Sequence, residues 1–413
     1  MVPWTILART RAGERGSITS APGFRAAGVH CGLKSDDELD LALVVGDVPC
    51  RAAAVFTTNQ VQAAPVLWDR EVIADNPEEI HAVVINSGCA NACTGEQGLR
   101  DAKEMARQVA LAVDADPHGV LVMSTGVIGR RMYMEKIGAG ISSAVEELSY
   151  EGGHDAAQAI MTTDTHPKEI AVQGEIAGRQ VTIAGMCKGA GMIHPQMATL
   201  LGLILTDAAI AQPLLQRALR QAVEASFNSI TVDGDMSTND TVAVLANGLA
   251  GNEELRNESS SGYGEFLEGL TLVATELAKG IVRDGEGATK FVEIQVQGAR
   301  TEGEAKQVAM AIATSNLVKA AIYGEDANWG RVLAAAGYSG VEVDPGRLSL
   351  HFGDLHLVKD GQPYNVDEER AADILSRDEL TIALDLAQGE AHATFWTCDL
   401  THDYVTINAH YRT

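Results

Sequence analysis

One threonine stands between a glycine-rich segment and an apolar run. Residues 186–208 read MCKGAGMIHPQMATLLGLILTDA, so Ala198-Thr199 comes directly before LLGLIL. A threonine hydroxyl is a weak nucleophile at neutral pH unless a base lies beside it. If the chain were cut before Thr199, the α-amino group of that residue could be the base, because a free α-amine titrates at about 7.7–8.0. The hydroxyl could make this cut itself by attacking the Ala198 carbonyl.

The same threonine has a purely structural interpretation, because threonine before a buried strand is often only a β-forming residue. His194 could act as a base, although a single loop histidine is more often solvated or hydrogen-bonded. The sequence contains no GxxxxGK[ST] phosphate loop, no HExxH and no GxSxG elbow. Spacing alone therefore leaves both interpretations of Thr199 open.

The cysteines give no metal-ligand pattern. They are Cys31, Cys50, Cys89, Cys93, Cys187 and Cys398. A structural zinc site would need a second pair beside Cys89 and Cys93, and the sequence has none. We expect free thiols in a reducing compartment and no zinc site at this pair.

Composition limits the class of protein. The chain has 413 residues, 46% of them hydrophobic, which is enough for a large core in one α/β body or two to three domains. Its formal net charge of −25 disfavours nucleic acid and anionic membranes as partners. No apolar run is long enough to span a bilayer, and the first residues do not resemble a secretory signal. The sequence thus predicts a cytoplasmic protein.

Hydrophobic periodicity predicts alternating strands and helices. Strands are expected at 81–86, at 119–126, at 169–185 as two strands joined around Gly178, at 200–205 and at 291–298. Helices are expected at 100–113, from about 208 to 226, after the polar break 251–264 as far as Lys279-Gly280, and once within 315–337. The part after about residue 340 is rich in strand patterns. This order predicts a mixed α/β chain.

Several longer segments carry a family resemblance. They are FTTNQVQAAPV, INSGCANACTG, STGVIG, IMTTDTHPK, KGAGMIHPQMATLL, DGDMSTNDT, VRDGEGATKF, AIYGEDANWGR and the C-terminal YVTINAHYRT. In this order they resemble the ornithine acetyltransferase (glutamate N-acetyltransferase, ArgJ) family of arginine biosynthesis. The likeness extends over nearly the whole chain.

The resemblance implies a fold and an architecture. The fold would be α/β, with stacked β-sheets sandwiched by helices, similar to the aminopeptidases that process themselves before a serine or threonine. Cleavage between Ala198 and Thr199 would give an α chain, 1–198, and a β chain, 199–413. The two chains would stay together, as a heterotetramer or a larger assembly, and would need no cofactor.

The resemblance also implies an activity. Thr199 would take the acetyl group from N2-acetyl-L-ornithine and pass it to L-glutamate in a second half-reaction. The hydroxyl of Thr125 and the backbone of Gly126 would form the oxyanion hole. The residues implied for substrate binding are Thr162, Lys188, Thr199, Glu286, Asn408 and Thr413. Some members of the family also use acetyl-CoA as the acetyl donor.

These implied roles agree with elementary chemistry. Lys188 is a sensible partner for the α-carboxylate of an amino acid, and Glu286 could neutralise the side-chain ammonium of ornithine. Asn408 and Thr413 lie in a tail that would have to fold back against the site. Such a tail would close one wall.

The sequence departs from the family pattern at four positions. The family usually has alanine and asparagine at His194 and Gln196, asparagine at Cys89 and threonine at Met236. None of these changes removes a group with a proposed chemical role. Two other functions stay open, namely a self-processing amidase or aminopeptidase in which water accepts the acyl group, and a binding protein that never cleaves.

Overall fold

The computed structural model describes residues 4–7, 16–35, 37–194, 200–364 and 367–410. The strands are β1 Thr5–Ile6, β2 Phe24–Val29, β3 Leu41–Phe56, β4 Ile80–Asn86, β5 Val120–Ser124, β6 Lys168–Ile176, β7 Arg179–Lys188, β8 Leu201–Thr206, β9 Thr241–Ala246, β10 Phe291–Ala299, β11 Ser349–Phe352, β12 Leu355–Lys359, β13 Gln362–Pro363, β14 Glu379–Asp385 and β15 Ala391–Cys398. The α-helices are α1 Ala64–Asp75, α2 Gly95–Val113, α3 Met134–Glu147, α4 Gly153–Ala159, α5 Gln212–Ala225, α6 Tyr263–Arg283, α7 Glu302–Ala313, α8 Asn316–Tyr323, α9 Trp329–Gly337, α10 Glu368–Leu375 and α11 His402–His410. Short 3₁₀ turns lie at Ile18–Ser20, Pro117–Gly119 and Phe227–Ser229.

The long strand β3 connects two layers of sheet. Residues 41–45 of β3 pair with β2 and β4, whereas residues 51–56 pair with β9. The register shifts between Val45 and Cys50, where the strand passes from one layer to the other. The resulting strand order is β1-β6-β7-β8-β9-β3-β4-β5, with β2 also paired to β3.

Side-chain alternation shows that the two layers stack on each other. On β8, Leu201, Leu203 and Leu205 belong to a core that also contains residues of β4 and β5. Ile204 points the other way, into a second core with residues of α5 and α6. Because β8 is buried on both faces, its sequence is an almost continuous apolar run. With α1, α2 and α3 packed on the β2–β5 layer, the predicted fold class, stacked β-sheets sandwiched by helices, is confirmed.

A third core lies under a separate six-stranded sheet. Its strand order is β13-β12-β11-β14-β10-β15. Apolar residues from one face of this sheet pack against α7, α8, α9 and α10. The opposite face is partly exposed, so β14 alternates strictly between buried and less buried residues.

Most predicted elements are confirmed, with three corrections. Helix α6 continues through Arg283 instead of ending at Lys279-Gly280, because Ile281 and Val282 extend its buried face. Helix α5 begins at Gln212, not near 208, with a proline in its first turn. The segment 315–337 forms two helices rather than one, because residues 324–328 make a turn in which the Asn328 N–H donates to the Asp326 carbonyl at 2.7 Å.

The predicted chains 1–198 and 199–413 are interleaved in the fold. Strand β7 pairs with β8 and β3 pairs with β9, so both segments contribute to one continuous sheet. Ala198 and Thr199 themselves lie outside the described residues. Their cleavage therefore stays a prediction, and the two segments are not separate domains.

Two other observations concern the cysteines and the lengths of the helices. All six cysteines are free thiols. In the ranges that the structure describes, no helix is long and apolar enough to cross a membrane.

Candidate active site

Six of the predicted site residues line one cleft. They are Thr125, Gly126, Thr162, Lys188, Glu286 and Asn408. They come from five parts of the chain, namely the residues after β5, the segment before β6, the end of β7, the loop after α6 and the helix α11. Three other predicted positions, Ala198, Thr199 and Thr413, lie outside the described residues. The residue after Thr199, Leu200, is buried.

The end of β5 offers two hydrogen-bond donors to the cleft. The Thr125 N–H is already used, because it donates to the Asn86 carbonyl at 3.0 Å. Within the described part of the chain, the Thr125 hydroxyl and the Gly126 N–H make no hydrogen bond. Gly126 has a φ of +125°, and a Cβ there would lie 2.5 Å from the carbonyl carbon of Gly88. Only glycine fits this position, and both residues line the same cleft.

Two buried asparagines hold this corner in place. The side-chain amide of Asn239 donates to the carbonyls of Ala90 and Ser124 at 2.6 and 2.7 Å. The Ser124 hydroxyl donates to the Asn86 side chain at 2.6 Å. Sequence reasoning did not identify either asparagine as a site residue, although both lie in the motifs INSGCANACTG and DGDMSTNDT. Their role depends on contacts between segments that are 38 to 149 residues apart in the sequence.

A buried charge cluster underlies Lys188. The Lys168 ammonium lies 2.6 Å from Asp164 Oδ1 and 2.6 Å from Asp284 Oδ2. The Lys188 ammonium lies 4.0 Å from Asp164 Oδ2 and is only 3% exposed. Two cations and two anions therefore balance each other below the cleft, which is the condition under which charges are tolerated in a core.

Burial and neighbouring charges act on these groups in opposite directions. Burial lowers the pKa of Lys188, and the nearby Asp164 opposes that effect. For Asp164, burial alone would raise the pKa, but Lys168 and Lys188 outweigh burial and hold it well below its usual value. The ammonium of Lys188 makes no hydrogen bond with any described residue. It is thus a buried cation with capacity for an anionic ligand.

The same cluster orients the Thr162 segment. Asp164 Oδ2 accepts the Thr162 N–H at 3.0 Å, and Asp284 Oδ2 accepts the Thr165 N–H at 3.0 Å. Asp164 also accepts the N–H of Gly189, immediately after Lys188, at 2.7 Å. One aspartate therefore fixes both the Thr162 side and the Lys188 side of the cleft.

Glu286 and Asn408 form the opposite side. The Asn408 amide donates to Glu286 Oε2 at 2.7 Å, so α11 lies against the cleft. Gly191 makes room for this carboxylate, because a Cβ there would lie 2.5 Å from Glu286 Cδ. Tyr404, also on α11, donates its hydroxyl to Asp233 at 3.3 Å.

The segment after β7 is held by Asp233. This carboxylate accepts the N–H groups of Met192 and Ile193 at 2.6 and 3.0 Å, and burial raises its pKa. Met192 adopts a φ of +55°, which is unusual for a residue with a side chain. Burial lowers the pKa of His194, and its Nδ1 has no hydrogen-bond partner among the described residues. A partly buried histidine with a lowered pKa therefore precedes the predicted processing site.

The fold and the cleft define a class of protein. The cleft presents a buried cation, a carboxylate and a pair of hydrogen-bond donors, which together suit an amino-acid-sized ligand and an oxygen that becomes negative. Among the residues that the structure describes, no group of three or more histidine, cysteine or acidic side chains could hold a metal ion. Such a cleft in a fold of this kind is typical of an α/β enzyme that catalyses acyl transfer.

Comparisons with known proteins agree with this class. The model of the ArgJ family matches residues 25–413. The chain is 54% identical over 400 residues to the arginine biosynthesis bifunctional protein ArgJ of Symbiobacterium thermophilum, covering 96% of this chain and 99% of that protein. It is 49% identical over 395 residues to the ArgJ protein of Thermotoga neapolitana, covering 95% and 99%. The chain belongs to the ArgJ family, and the resemblance drawn from its motifs is confirmed.

A solved structure is also similar in part. The ornithine acetyltransferase of Mycobacterium tuberculosis, determined in complex with ornithine, is 43% identical, with a TM-score of 0.42. The match covers 47% of this chain and 98% of that one.

Proposed function

We propose that this chain is an acetyltransferase of arginine biosynthesis that moves the acetyl group of N2-acetyl-L-ornithine to L-glutamate. The observation that carries the proposal is the presence of Lys188, Glu286 and the Thr125-Gly126 donors around one cleft. Membership of the ArgJ family supports it independently. The protein would act in the cytoplasm as a heterotetramer of cleaved chains or a larger assembly.

Substrate binding would use the two charged sides of the cleft. The Lys188 ammonium would bind the α-carboxylate that both substrates share, since a charged hydrogen bond is stronger than a neutral one. Glu286, already oriented by Asn408, would bind the side-chain ammonium of ornithine. Thr162 and the terminal Thr413 would complete the binding residues. This assignment explains why the cleft combines both signs of charge.

Self-processing would prepare the nucleophile. The Thr199 hydroxyl attacks the Ala198 carbonyl, the new C–O bond forms as the C–N bond breaks, and the hydroxyl proton passes to the departing nitrogen. Water then hydrolyses the ester, which leaves a carboxylate on Ala198 and restores the hydroxyl of Thr199. The products are a chain that ends at Ala198 and a chain that begins with a free amine at Thr199.

The acetyl group would then be transferred in two steps, first from acetylornithine to the Thr199 hydroxyl and then from Thr199 to glutamate. The α-amine takes the hydroxyl proton as the oxygen attacks the acetyl carbonyl, and gives it to the departing nitrogen of ornithine. The negative oxygen of the tetrahedral intermediate accepts hydrogen bonds from Thr125 and Gly126. Glutamate reverses these steps with its own amine. Acetyl-CoA would be a second donor, in accordance with the word bifunctional in the relatives' names.

The test combines intact mass and product analysis. Purified wild-type protein should give two masses, for 1–198 and 199–413, in a denaturing spectrum. Thr199→Ala should stay full-length and transfer no acetyl group, because one hydroxyl serves both reactions. Thr381→Ala, on β14 of the other sheet, is the matched control and should behave like the wild type.

Product analysis separates the alternatives. Acetylglutamate should form in proportion to the ornithine released. Acetate release that is unaffected by glutamate would favour an amidase. A chain that stays whole and transfers nothing would favour a binding protein, and an active Thr199→Ala enzyme would refute the mechanism.

A further inference from the structure

The cleft is lined mainly by polar side chains and glycines. Among the lining residues that the structure describes, three have apolar side chains, namely Ala90, Ile128 and Met192. Met192 lies on the side of Glu286, because a Cβ on the preceding Gly191 would lie 2.5 Å from Glu286 Cδ. Ala90 belongs to a small apolar cluster against which Ile128 packs. We call these two residues, Ala90 and Ile128, the apolar wall.

The apolar wall lies beside the proposed oxyanion hole. A Cβ on Gly126 would lie 2.7 Å from the backbone nitrogen of Cys89, the residue before Ala90. The Ala90 N–H donates to the carbonyl of Val127 at 3.1 Å, and Ile128 follows directly in the chain. Both residues of the wall therefore adjoin the backbone that would stabilise the oxyanion.

Buried hydrogen bonds hold the apolar wall at a fixed distance from the donors. One amide group, that of Asn239, donates to the carbonyls of Ala90 and Ser124 at 2.6 and 2.7 Å. The Thr238 hydroxyl donates to Asn239 Oδ1 at 2.7 Å, which fixes the orientation of this amide. Because Ser124 precedes Thr125, the wall cannot move away from the donors without breaking a buried hydrogen bond.

The shape of an acetyl group determines which of its atoms faces this wall. The carbonyl carbon carries an oxygen, a nitrogen and a methyl group in one plane. With the oxygen at Thr125 and Gly126, the methyl carbon lies about 2.4 Å from it. The nitrogen belongs to the amino acid, which extends toward Lys188 and Glu286. The methyl group is therefore directed to the remaining side, and apolar side chains are the favourable surroundings for it.

We propose that the apolar wall contacts the methyl group of the acetyl donor and limits the acyl group to acetyl. The inference rests on the proposed function and specifies the acyl group that the same site accepts. Ile128 has the larger side chain of the two, so its size sets the limit. The cluster behind it is already filled by the buried side chains of Ala63, Val66 and Ala92. A longer acyl chain would have to displace Ile128.

The expected effect is a change in selectivity between two donors. We define the selectivity ratio as kcat/KM for N2-acetyl-L-ornithine divided by kcat/KM for N2-propionyl-L-ornithine. One methylene in an apolar pocket changes this kind of ratio by about 10–200-fold, so the wild type should prefer the acetyl donor by about tenfold or more. Ile128→Ala should lower the ratio by about tenfold, because it makes room for the longer chain. Ile128→Val should lower it less.

Two control variants separate the wall from other changes in volume. Val66→Ala shortens a residue of the same apolar cluster that does not line the cleft. Met192→Ala widens the cleft on its other side. Both variants should keep the wild-type selectivity ratio, even where stability or KM changes.

The experiment measures the initial rate of ornithine release, with glutamate present, for both donors in the wild type and the four variants. A wild-type enzyme that transfers no acetyl group would refute the proposed function, and the inference with it. If acetyl transfer occurs, a wild type that uses both donors equally would overturn the inference alone. An Ile128→Ala enzyme with the wild-type ratio would do the same. If Ile128→Ala does not fold, the ratio of Ile128→Val decides by the same criterion.

Discussion

Thr125 and Gly126 present different kinds of donor to the cleft. Gly126 would donate its backbone N–H, and its φ of +125° beside the Gly88 backbone forbids any side chain. A substitution there would distort the loop as well as the donor, so it cannot measure the donor alone. Thr125 would donate a hydroxyl, and its backbone N–H is held by Asn86. The hydroxyl can therefore be removed without breaking the backbone contact.

The residue-scale prediction is that Thr125→Val lowers kcat by about 10²–10³, since this is the usual effect of losing one oxyanion donor. Valine preserves the size and branching of threonine, so the KM for acetylornithine should change little. Steady-state kinetics measure both constants. Thr125→Ser is the control, because it keeps the hydroxyl and should retain most of the activity. A Thr125→Val enzyme with wild-type kcat would place the donor elsewhere.

The residue before the first strand, Trp4, packs its ring against two glycines. Trp4 precedes β1, and its indole N–H donates to the Glu265 carbonyl on α6 at 3.0 Å. Added Cβ atoms at Gly174 and Gly269 would lie 2.8 and 2.3 Å from the ring. The two glycines, one on β6 and one on α6, therefore form a space that the indole fills. The indole is partly buried against these elements, and its packing stabilises β1 at the edge of the sheet.

The element-scale prediction is that Gly269→Ala destabilises the protein by about 1–3 kcal/mol, because the methyl group overlaps the Trp4 ring. In a Trp4→Ala background the same substitution should cost much less, since the clash is gone. Urea unfolding of the four proteins gives the coupling between the two sites. Gly264→Ala, on the same helix with open space around it, is the control. If Gly269→Ala and Gly264→Ala had the same urea midpoint of unfolding, the added methyl group would not overlap the Trp4 ring.

At the scale of the whole molecule, the proposed cleavage would cut a chain whose two parts contribute neighbouring strands to one sheet. Residues 183–188 pair with residues 201–206, and residues 51–56 pair with residues 241–246. Apolar residues of both parts share the two cores on either side of β8. Contacts of this kind depend on backbone hydrogen bonds and apolar burial, and salt screens neither of them.

The prediction at this scale is that fully processed protein elutes as one species in size-exclusion chromatography, both at low salt and at 1 M salt. At 1 M salt the Debye length is only about 3 Å, so attraction between surface charges is screened. Denaturant should be needed to separate 1–198 from 199–413. The uncut Thr199→Ala protein is the reference and should elute at the same volume. Separation of the two chains by salt alone would mean that they do not share the sheet after cleavage.

Local sequence determined the chemistry of single residues and the type of most elements. Thr199 could be named as a possible nucleophile because a free α-amine would activate its hydroxyl, although spacing alone left a structural role open as well. The strands of the central sheet were recognisable because burial on both faces requires apolar runs. Lys188 and Glu286 were identifiable only by family resemblance, because isolated charged residues have no periodicity. Helix ends were less certain, as α6 shows, since packing at its last turn overrides the local end signal.

Tertiary structure alone decided which distant groups meet. Lys168 is next to Asp284, which is 116 residues away in sequence, and Asn239 reaches carbonyls 115 and 149 residues away. Asp240 meets Leu200 only because β8 and β9 run parallel side by side, which brings their first residues together. A buried charge is compensated by groups that lie near it in the fold, whatever their distance along the sequence. The residues that would bind the substrate could therefore be named from the sequence, whereas those that hold them in position could not.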